Sequence, residues 1–249
     1  PELVSLAAGF VDQASLPVEA TKSAALTLLR SGDLGRAALQ YGPCAGDEEL
    51  RGQIRQRLCA ADGTLDAQGP GLEQVVLTAG SNQLLFLVAD ALLDPGDIVL
   101  CDAPTYFVLM GIVMNMGARA IGVPSDEHGM RMDALRATLE RIELDGELHK
   151  VKAIYVMSSF DNPRAVSLAP ERRPEVVALA RAFSRKQPIY VIEDAAYREL
   201  RYAGDDAPSV YSHDASREHV VYAGTFSKSF SPGLRVGFGV LPEPLLGAV

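Results

Sequence analysis

From residue 74 onward, short apolar runs alternate with longer stretches in which apolar residues recur at helical spacing. The runs predict strands at 75–78, 98–101, 118–123, 151–157, 188–192, 219–223 and 236–241. The stretches between them predict helices at 81–93, 105–116, 133–142 and 170–185. Continuous apolar strands are typical of parallel sheets with helices on both faces. The pattern therefore predicts a three-layer α/β/α fold around a mostly parallel central sheet.

The chain before residue 74 has a different pattern. An apolar opening segment predicts an extended arm, and 15–30 is predicted to be a helix with Pro17 in its first turn. A glycine-containing link follows, and Asp47 is the predicted cap of a second helix with an apolar residue at every fourth position. We therefore expect an N-terminal arm and helix over 1–40 and a large domain over 41–249.

Composition narrows the class of protein. Hydrophobic residues make up 48% of the 249 residues and charged residues 22%, as in ordinary globular proteins. The formal net charge of −9 argues against a nucleic acid or an anionic membrane as the main partner. Three cysteines without CxxC spacing favour reduced thiols and a cytoplasmic location. No apolar run reaches the length of a membrane span, and no metal site is expected.

Ligands of such sheets bind beyond the carboxyl ends of the strands, so the residues that follow each strand are candidates for a site. The first strand is followed by Gly80, Ser81 and Asn82, which open a helix whose free N–H groups and dipole attract phosphate. The alternative is a plain glycine turn with a serine cap. Tyr106 follows the next strand and either stacks on a flat ring or begins a helix as a half-buried aromatic.

Two further strands also end in polar side chains. Asn162, held extended before Pro163, has an amide that could donate to a ring hydroxyl, although turn asparagines are common. Asp194 follows a buried strand, where an unpaired carboxylate is costly, and a protonated pyridine nitrogen would be a fitting partner. Tyr197 would reach the same ring from the side. The alternative is that Asp194 only caps a helix.

Lys228 lies just past another strand, with Thr225 and Ser227 before it and Arg235 after it. A lysine in a confined site can lose its proton and form a Schiff base with a carbonyl group. Hydroxyls and an arginine are suited to binding phosphate. An aldehyde that carries a phosphate is pyridoxal phosphate. The alternative is a surface turn with a solvated lysine, but the strand ends together supply every contact that this cofactor needs.

These residues resemble the fold-type I pyridoxal-phosphate enzymes of the class I/II aminotransferase group, over essentially the whole chain. The resemblance implies that Lys228 forms the Schiff base and shuttles protons, with Asp194 and Tyr197 as further catalytic residues. Asp194 would pair with the pyridine nitrogen, while Asn162 and Tyr197 would bind the ring hydroxyl and Tyr106 would stack on the ring. The resemblance further implies that the cofactor phosphate is bound by Gly80, Ser81, Asn82, Thr225, Ser227 and Arg235.

The resemblance also implies a second subunit and a substrate side. Tyr41 is similar to the family's tyrosine that reaches the phosphate of the neighbouring subunit, which implies a homodimer with shared sites. Gly9 is similar to a glycine on the substrate side, where Asn162 is also expected to contact the substrate. The partners implied are therefore an amino acid, a 2-oxo acid and a second copy of the chain, with no nucleic acid and no membrane.

The chain departs from the family pattern in two places. The family usually continues Asn-Pro with Thr-Gly, and here Arg164 and Ala165 stand in those positions. Members of the family also continue into a smaller C-terminal domain, which carries the arginine that binds the substrate carboxylate. We expect that domain to be absent from this chain. The sequence alone does not assign Arg36, Arg119 or Arg164 as the arginine that binds the substrate carboxylate.

The functional hypothesis is a pyridoxal-phosphate-dependent aminotransferase that moves an amino group between an amino acid and a 2-oxo acid. One alternative keeps the cofactor but changes the reaction, as in a C–S lyase, a decarboxylase or a racemase. Another is a non-catalytic aminotransferase-like sensor or fragment. A nicotinamide-binding site is excluded because no GxGxxG follows a strand and opens a helix.

Overall fold

The computed structural model describes residues 9–65 and 69–249. The predicted arm before Gly9 lies outside the described residues. The helices are α1 Val18–Arg30, α2 Gly32–Ala38, α3 Glu48–Ala61, α4 Ser81–Leu92, α5 Phe107–Asn115, α6 Met132–Leu144 and α7 Arg172–Phe183. The strands are β1 Val75–Thr78, β2 Ile98–Ala103, β3 Arg119–Asp126, β4 Gly129–Met130, β5 Val151–Met157, β6 Tyr190–Asp194, β7 Val220–Thr225 and β8 Gly237–Val240.

The strands form one sheet in the order β1-β8-β7-β6-β5-β2-β3-β4. The run from β7 to β3 is parallel throughout. Strand β8 is antiparallel to both of its neighbours, and β4 is antiparallel to β3. The mostly parallel three-layer fold predicted from the sequence is therefore confirmed.

Two hydrophobic clusters cover the two faces of the sheet. Helices α3, α6 and α7 pack on one face, and α4 and α5 pack on the other. Successive residues of a strand point to opposite faces. In β5, for example, Ile154 and Val156 join the first cluster, whereas Ala153 and Tyr155 join the second. Both faces of the sheet are covered, so both sets of alternating side chains are apolar. The central strands are therefore continuous apolar runs in the sequence.

The N-terminal helices differ from the rest of the fold. Helix α1 has no buried residue, and α2 buries only Gly35, whose α-carbon region lies against the backbone of Leu29. Helix α3, by contrast, starts where predicted, because the Asp47 side chain accepts a hydrogen bond from the Leu50 N–H at 2.9 Å. It then packs Ile54 and other apolar residues onto the sheet.

The structure corrects several boundaries. The predicted link after α1 contains the short helix α2, and the β3–β4 hairpin was not predicted. Strands β2 and β6 run two residues further than expected, so Asp102 and Asp194 lie inside strands rather than after them. Helix α5 begins at Phe107, two residues later than predicted, with Tyr106 as the residue before its first turn. Polar residues at strand ends obscured these boundaries, because periodicity detects only the apolar part of a strand.

Candidate active site

A cavity of about 310 Å³ lies beyond the carboxyl ends of the parallel strands. The residues predicted from the sequence that line it are Gly9, Ser81, Asn82, Tyr106, Asn162, Asp194, Tyr197, Thr225, Ser227, Lys228 and Arg235. They come from several separate loops and helix starts. Their convergence follows from the topology, because parallel strands place all their carboxyl ends at one edge of the sheet.

Asp194 closes the inner end of the cavity. It is the last residue of β6, and only 2% of its surface is exposed. One carboxylate oxygen accepts a hydrogen bond from the Tyr155 hydroxyl at 2.7 Å, and the other accepts one from the Ala196 N–H at 3.0 Å. Burial raises the pKa of Asp194, while these two bonds and the nearby charge of Lys228 oppose the rise. A cation in the cavity would stabilise this carboxylate further.

Two tyrosines and an asparagine form the walls beside Asp194. The Tyr106 hydroxyl lies 3.4 Å from Asn82 Oδ1. The side chain of Asn162 lies close enough to the Tyr197 hydroxyl to oppose a rise in its pKa, and burial raises the pKa values of both tyrosines. These phenols therefore stay protonated at neutral pH. They can donate hydrogen bonds into the cavity, and their rings can contact a flat ligand.

The rim near α4 brings together two loops that are far apart in sequence. Arg235 Nη2 donates to the Ala79 carbonyl at 3.1 Å, so the guanidinium lies against Gly80. A β-carbon at Gly80 would meet the guanidinium of Arg235, and φ of Gly80 is +83°. Glycine is therefore favoured here by the backbone conformation, which side chains rarely adopt. The N-terminus of α4 and a guanidinium together form an anion-binding rim.

The loop after β7 supplies the lysine and the hydroxyls. Thr225 Oγ1 donates to Ser227 Oγ at 3.0 Å and accepts from the Ser227 N–H at 3.1 Å. Arg235 Nη1 lies 3.5 Å from Ser227 Oγ, which places the two hydroxyls beside the guanidinium. The Lys228 ammonium is exposed to the cavity, 5.6 Å from the centre of the Tyr197 ring. An amine, an anion-binding rim and a buried carboxylate thus face one space.

Two of the predicted site residues are placed differently from the others. Gly80 does not line the cavity itself but lies behind the rim, against Arg235. Tyr41 is 99% exposed and is not brought to the cavity of its own chain.

Sequence reasoning missed Tyr155, which hydrogen-bonds Asp194 from the middle of β5. Burial raises its pKa well above the ordinary value, so its hydroxyl is a donor. A tyrosine among the apolar residues of a buried strand was the available signal. A buried hydroxyl needs a partner, and the polar end of β6 was the candidate.

None of the three arginines considered from the sequence points freely into the cavity. Arg36 pairs with Asp33 on the surface of α2, and Arg119 pairs with Glu147 at the start of β3. Arg164 lies near the cavity but is paired with Asp161.

The described ranges, 9–65 and 69–249, lack two features of other protein classes. No helix there is long and apolar enough to cross a membrane. No group of three or more His, Cys, Asp or Glu side chains there could hold a metal ion.

The fold and the cavity define a class of α/β domain in which a lysine past a strand end faces a buried aspartate and an anion-binding rim. A family model described as aminotransferase class I and II matches residues 1–249, and the chain belongs to this family.

Curated relatives of the chain also carry the names of aminotransferases. The chain is 31% identical to aromatic-amino-acid aminotransferase 1 of Thermococcus litoralis, over 98% of this chain and 55% of the relative. It is 33% identical to 2-aminoadipate transaminase of Thermus thermophilus, over 98% of this chain and 57% of the relative. The chain thus spans little more than half the length of these relatives.

A solved structure shares the fold. The kynurenine aminotransferase of Pyrococcus horikoshii, in complex with PMP, superimposes with a TM-score of 0.86 and 30% identity. The match covers 97% of this chain and 56% of that one.

Proposed function

We propose that this chain binds pyridoxal 5'-phosphate in the cavity and that the protein transfers amino groups between an amino acid and a 2-oxo acid. The observation that carries the proposal is the convergence of Lys228 and the buried Asp194 on one cavity with an anion-binding rim. The family membership and the PMP complex of the P. horikoshii relative support it.

The residues present fit this cofactor. Asp194 is a buried carboxylate with a raised pKa, and a protonated pyridine nitrogen would supply the missing positive charge. The rim of Arg235, Ser227 and the α4 N-terminus matches a phosphate dianion. Tyr106 and Tyr197 bound the space between these two ends, where an aromatic ring would lie. The charge of each part of the cofactor thus meets a group of opposite charge.

The bound cofactor would supply an electron sink for breaking a bond at the substrate α-carbon. The chain's own residues do the rest. Lys228 Nζ would hold the cofactor covalently and then, once displaced by substrate, would accept the substrate's α-proton and deliver it to the carbon of the cofactor's aldehyde group. Asp194 would keep the ring nitrogen protonated. Tyr197 and Asn162 would orient the ring through its hydroxyl, since both side chains line the same cavity.

The first experiment is an absorbance spectrum of the protein with pyridoxal 5'-phosphate, followed by borohydride reduction and peptide mapping. We expect a visible absorbance band and a label on Lys228. Lys228→Ala should lose both the band and turnover. Lys22→Ala is the matched control, because Lys22 is an exposed lysine on α1 and its loss should change neither. A label spread over surface lysines would contradict the proposal.

The reaction and its substrates are tested by screening amino acids with 2-oxo acids. The names of the relatives suggest starting with aromatic amino acids and 2-aminoadipate. Transfer of the amino group to an oxo acid would support the aminotransferase. Release of ammonia, a thiol or CO₂ would instead identify a lyase or decarboxylase. Tight cofactor binding with no turnover of any substrate would favour the sensor or fragment.

We further propose that the protein is a homodimer with shared sites, as the almost fully exposed Tyr41 suggests. Light scattering measures the oligomeric state. Mixing Tyr41→Phe and Lys228→Ala chains tests sharing. If Tyr41 serves the neighbouring site, mixed dimers have one site with both defects and one with neither, so activity returns. No recovery would contradict shared sites.

We make two smaller proposals. One is a cytoplasmic location, which the three free cysteines favour and cell fractionation tests. The other is the division of the chain at residue 40. Limited proteolysis would test the division by cleavage near residue 40.

A further inference from the structure

Residues 161–166 form a short closed loop at the edge of the cavity. Asp161 N–H donates to the Val166 carbonyl at 2.8 Å, and Val166 N–H donates back to Asp161 Oδ1 at 3.0 Å. Asn162 lies inside this closure and lines the cavity. Tyr197 lines the same cavity, and the Asn162 side chain is close enough to its hydroxyl to oppose the rise in its pKa, so the placement of the loop sets how Asn162 faces Tyr197.

Arg164 joins this loop to the sheet. Its Nε donates to Asp161 Oδ2 at 2.9 Å, and its Nη2 lies 3.6 Å from Asp102 Oδ1, at the end of β2. Its Nη1 lies 3.4 Å from the backbone carbonyl of Asp126, at the end of β3. The side chains of Arg164, Asp161 and Asp102 are 20%, 4% and 7% exposed. Removal of one partner from a cluster this well buried leaves an uncompensated charge, which is more costly than the loss of a surface pair.

The same contacts remove Arg164 from another role. Its guanidinium donors are directed at Asp161, Asp102 and a backbone carbonyl, so it could bind a substrate carboxylate only by releasing buried charges. Ala165, the second departure from the family pattern, has φ of +58°, a conformation that glycine adopts readily. The loop therefore keeps a glycine-like path although alanine occupies it.

We propose that Arg164 is a positioning residue that joins Asp161 to Asp102 and thereby holds Asn162 against Tyr197. We also propose that protonation of Asp102 weakens this hold. This inference rests on the proposed function for its effect on the cofactor, but the contact between Asn162 and Tyr197 can be tested without cofactor.

The groups around Asp102 determine its charge. Burial raises its pKa to about 6, the hydrogen bond from Ser125 and the charge of Arg164 oppose this rise, and the charge of Asp161 adds to it. Ser125, on β3, donates to Asp102 Oδ1 at 2.6 Å. Asp102 therefore changes charge between about pH 5 and pH 7. Its protonation leaves Arg164 without its partner on β2.

The two other titratable groups beside Asp102 stay neutral over that range. Burial and the charge of Asp102 raise the pKa of Cys101, its neighbour on β2, to about 11. Burial also raises the pKa of Tyr155, on β5, well above its ordinary value. Neither group competes with Asp102 for Arg164 at neutral pH.

The cofactor-free experiment follows Tyr197 by NMR in protein labelled with ¹³Cζ-tyrosine. The resonance is assigned among the eight tyrosines by its loss in Tyr197→Phe. We expect the wild-type resonance to shift with pH, with a midpoint near the pKa of Asp102. Asp102→Asn and Arg164→Met should abolish that shift, and Arg164→Lys should retain part of it.

The matched control is Arg172→Met. Arg172 pairs with Asp126 and is 18% exposed, close to the 20% of Arg164, but it does not contact residues 161–166 through any of its hydrogen bonds. Its loss should leave the pH-dependent shift of Tyr197 unchanged. Persistence of that shift in both Asp102→Asn and Arg164→Met would overturn the proposal, as would an equal loss in Arg172→Met.

The second arm measures the dissociation constant of pyridoxal 5'-phosphate from the visible absorbance. Arg164→Met should raise it about tenfold, which is the value of one hydrogen bond. Arg164→Lys should raise it less, and Arg172→Met by less than twofold. If the wild type does not bind the cofactor, the proposed function fails while the NMR arm still decides the positioning. If the cofactor binds equally well to Arg164→Met, the positioning proposal fails alone.

Discussion

Glu193 and Asp194 are neighbours on β6, and both are buried, with 0% and 2% of their surfaces exposed. They point to opposite faces of the sheet because side chains alternate along a strand. Glu193 accepts hydrogen bonds from the backbone N–H groups of Val210 and Tyr211, at 3.0 and 2.8 Å. Asp194 accepts from Tyr155 and Ala196 but also faces the cavity that contains Lys228.

The difference lies in what surrounds each carboxylate. Burial raises the pKa of both, so burial alone does not mark a functional group. Glu193 is enclosed by packed protein, and its bonds fix the turn that begins at Val210. Asp194 retains an open side toward a space of ligand size. We infer that a buried carboxylate indicates chemistry when it faces such a space and indicates structure when the backbone encloses it.

The largest expected effect comes from Asp194→Asn. The substitution keeps the shape of the side chain and removes the charge that would hold the ring nitrogen protonated. We expect turnover to fall by about 10³-fold, as for the loss of a preorganised charge in an active site. Steady-state kinetics measure it, with circular dichroism to confirm the fold. Activity within tenfold of wild type would remove Asp194 from the proposed chemistry.

Asp102 is a third buried carboxylate, and its effect on stability depends on pH. Its pKa rises from the ordinary 3.8 to about 6, so the folded protein binds this proton more tightly than the unfolded chain does. The resulting stability is present below about pH 4 and is lost as the pH rises through about 6. The full loss is about 3 kcal/mol.

Asp102→Asn has no such proton to lose. As the pH rises from 4.5 to 8, we expect the free energy of unfolding of wild type to fall by about 2 kcal/mol relative to that of the variant. Urea denaturation at several pH values measures the difference. A difference that stays constant with pH would show that Asp102 does not titrate in this window.

Glu193→Gln tests the enclosed carboxylate. Glutamine keeps one acceptor oxygen but places an NH₂ group against a backbone N–H, so one buried donor loses its partner. We expect a loss of about 2 kcal/mol, or about 4–8 °C in thermal midpoint, with cofactor affinity unchanged. Glu199→Gln is the control, because that partly exposed side chain pairs with Arg57 at the surface and should cost about 0.5 kcal/mol or less. A loss of turnover in Glu193→Gln protein that is still folded at the assay temperature would contradict the structural role of Glu193.

Ala165→Gly should have the smallest effect. Relief of the left-handed conformation contributes about 1–2 kcal/mol, and the greater freedom of glycine in the unfolded chain opposes it by about 0.4–1 kcal/mol. We expect a net stabilisation of about 0.5–1 kcal/mol, seen as a thermal midpoint about 1–3 °C higher. Ala60→Gly is the matched control, since Ala60 lies within α3 and its replacement should cost about 1 kcal/mol. Equal losses in both variants would show that Ala165 is not strained.

Much of this fold was predictable because its local signals agree. The central strands are continuous apolar runs, and the helices between them show clear periodicity. Helix α2 was missed because its sequence, with Gly32 and Gly35, reads as a link. The β3–β4 hairpin was missed because β4 has only two residues, Gly129 and Met130, and so shows no period.

Most of the cavity-lining residues could be selected from the sequence because they lie at or just after the ends of strands, and a parallel sheet brings strand ends together. Their roles still rest on the resemblance and on the experiments above. Tyr155 was missed because it lies within a strand rather than after one. The role of Arg164 could not be assigned, because the sequence near a site does not show whether an arginine is free or is paired with a carboxylate.

The sequence alone determined the order of the elements and the positions of the polar residues at strand ends, because both follow from the local spacing of side chains. The tertiary structure decided which distant groups meet. Arg235 lies against Gly80, Arg164 joins the ends of β2 and β3, and β8 inserts antiparallel between β1 and β7. These contacts join residues far apart in the chain, and their energies come from burial and charge in three dimensions, which no local pattern records.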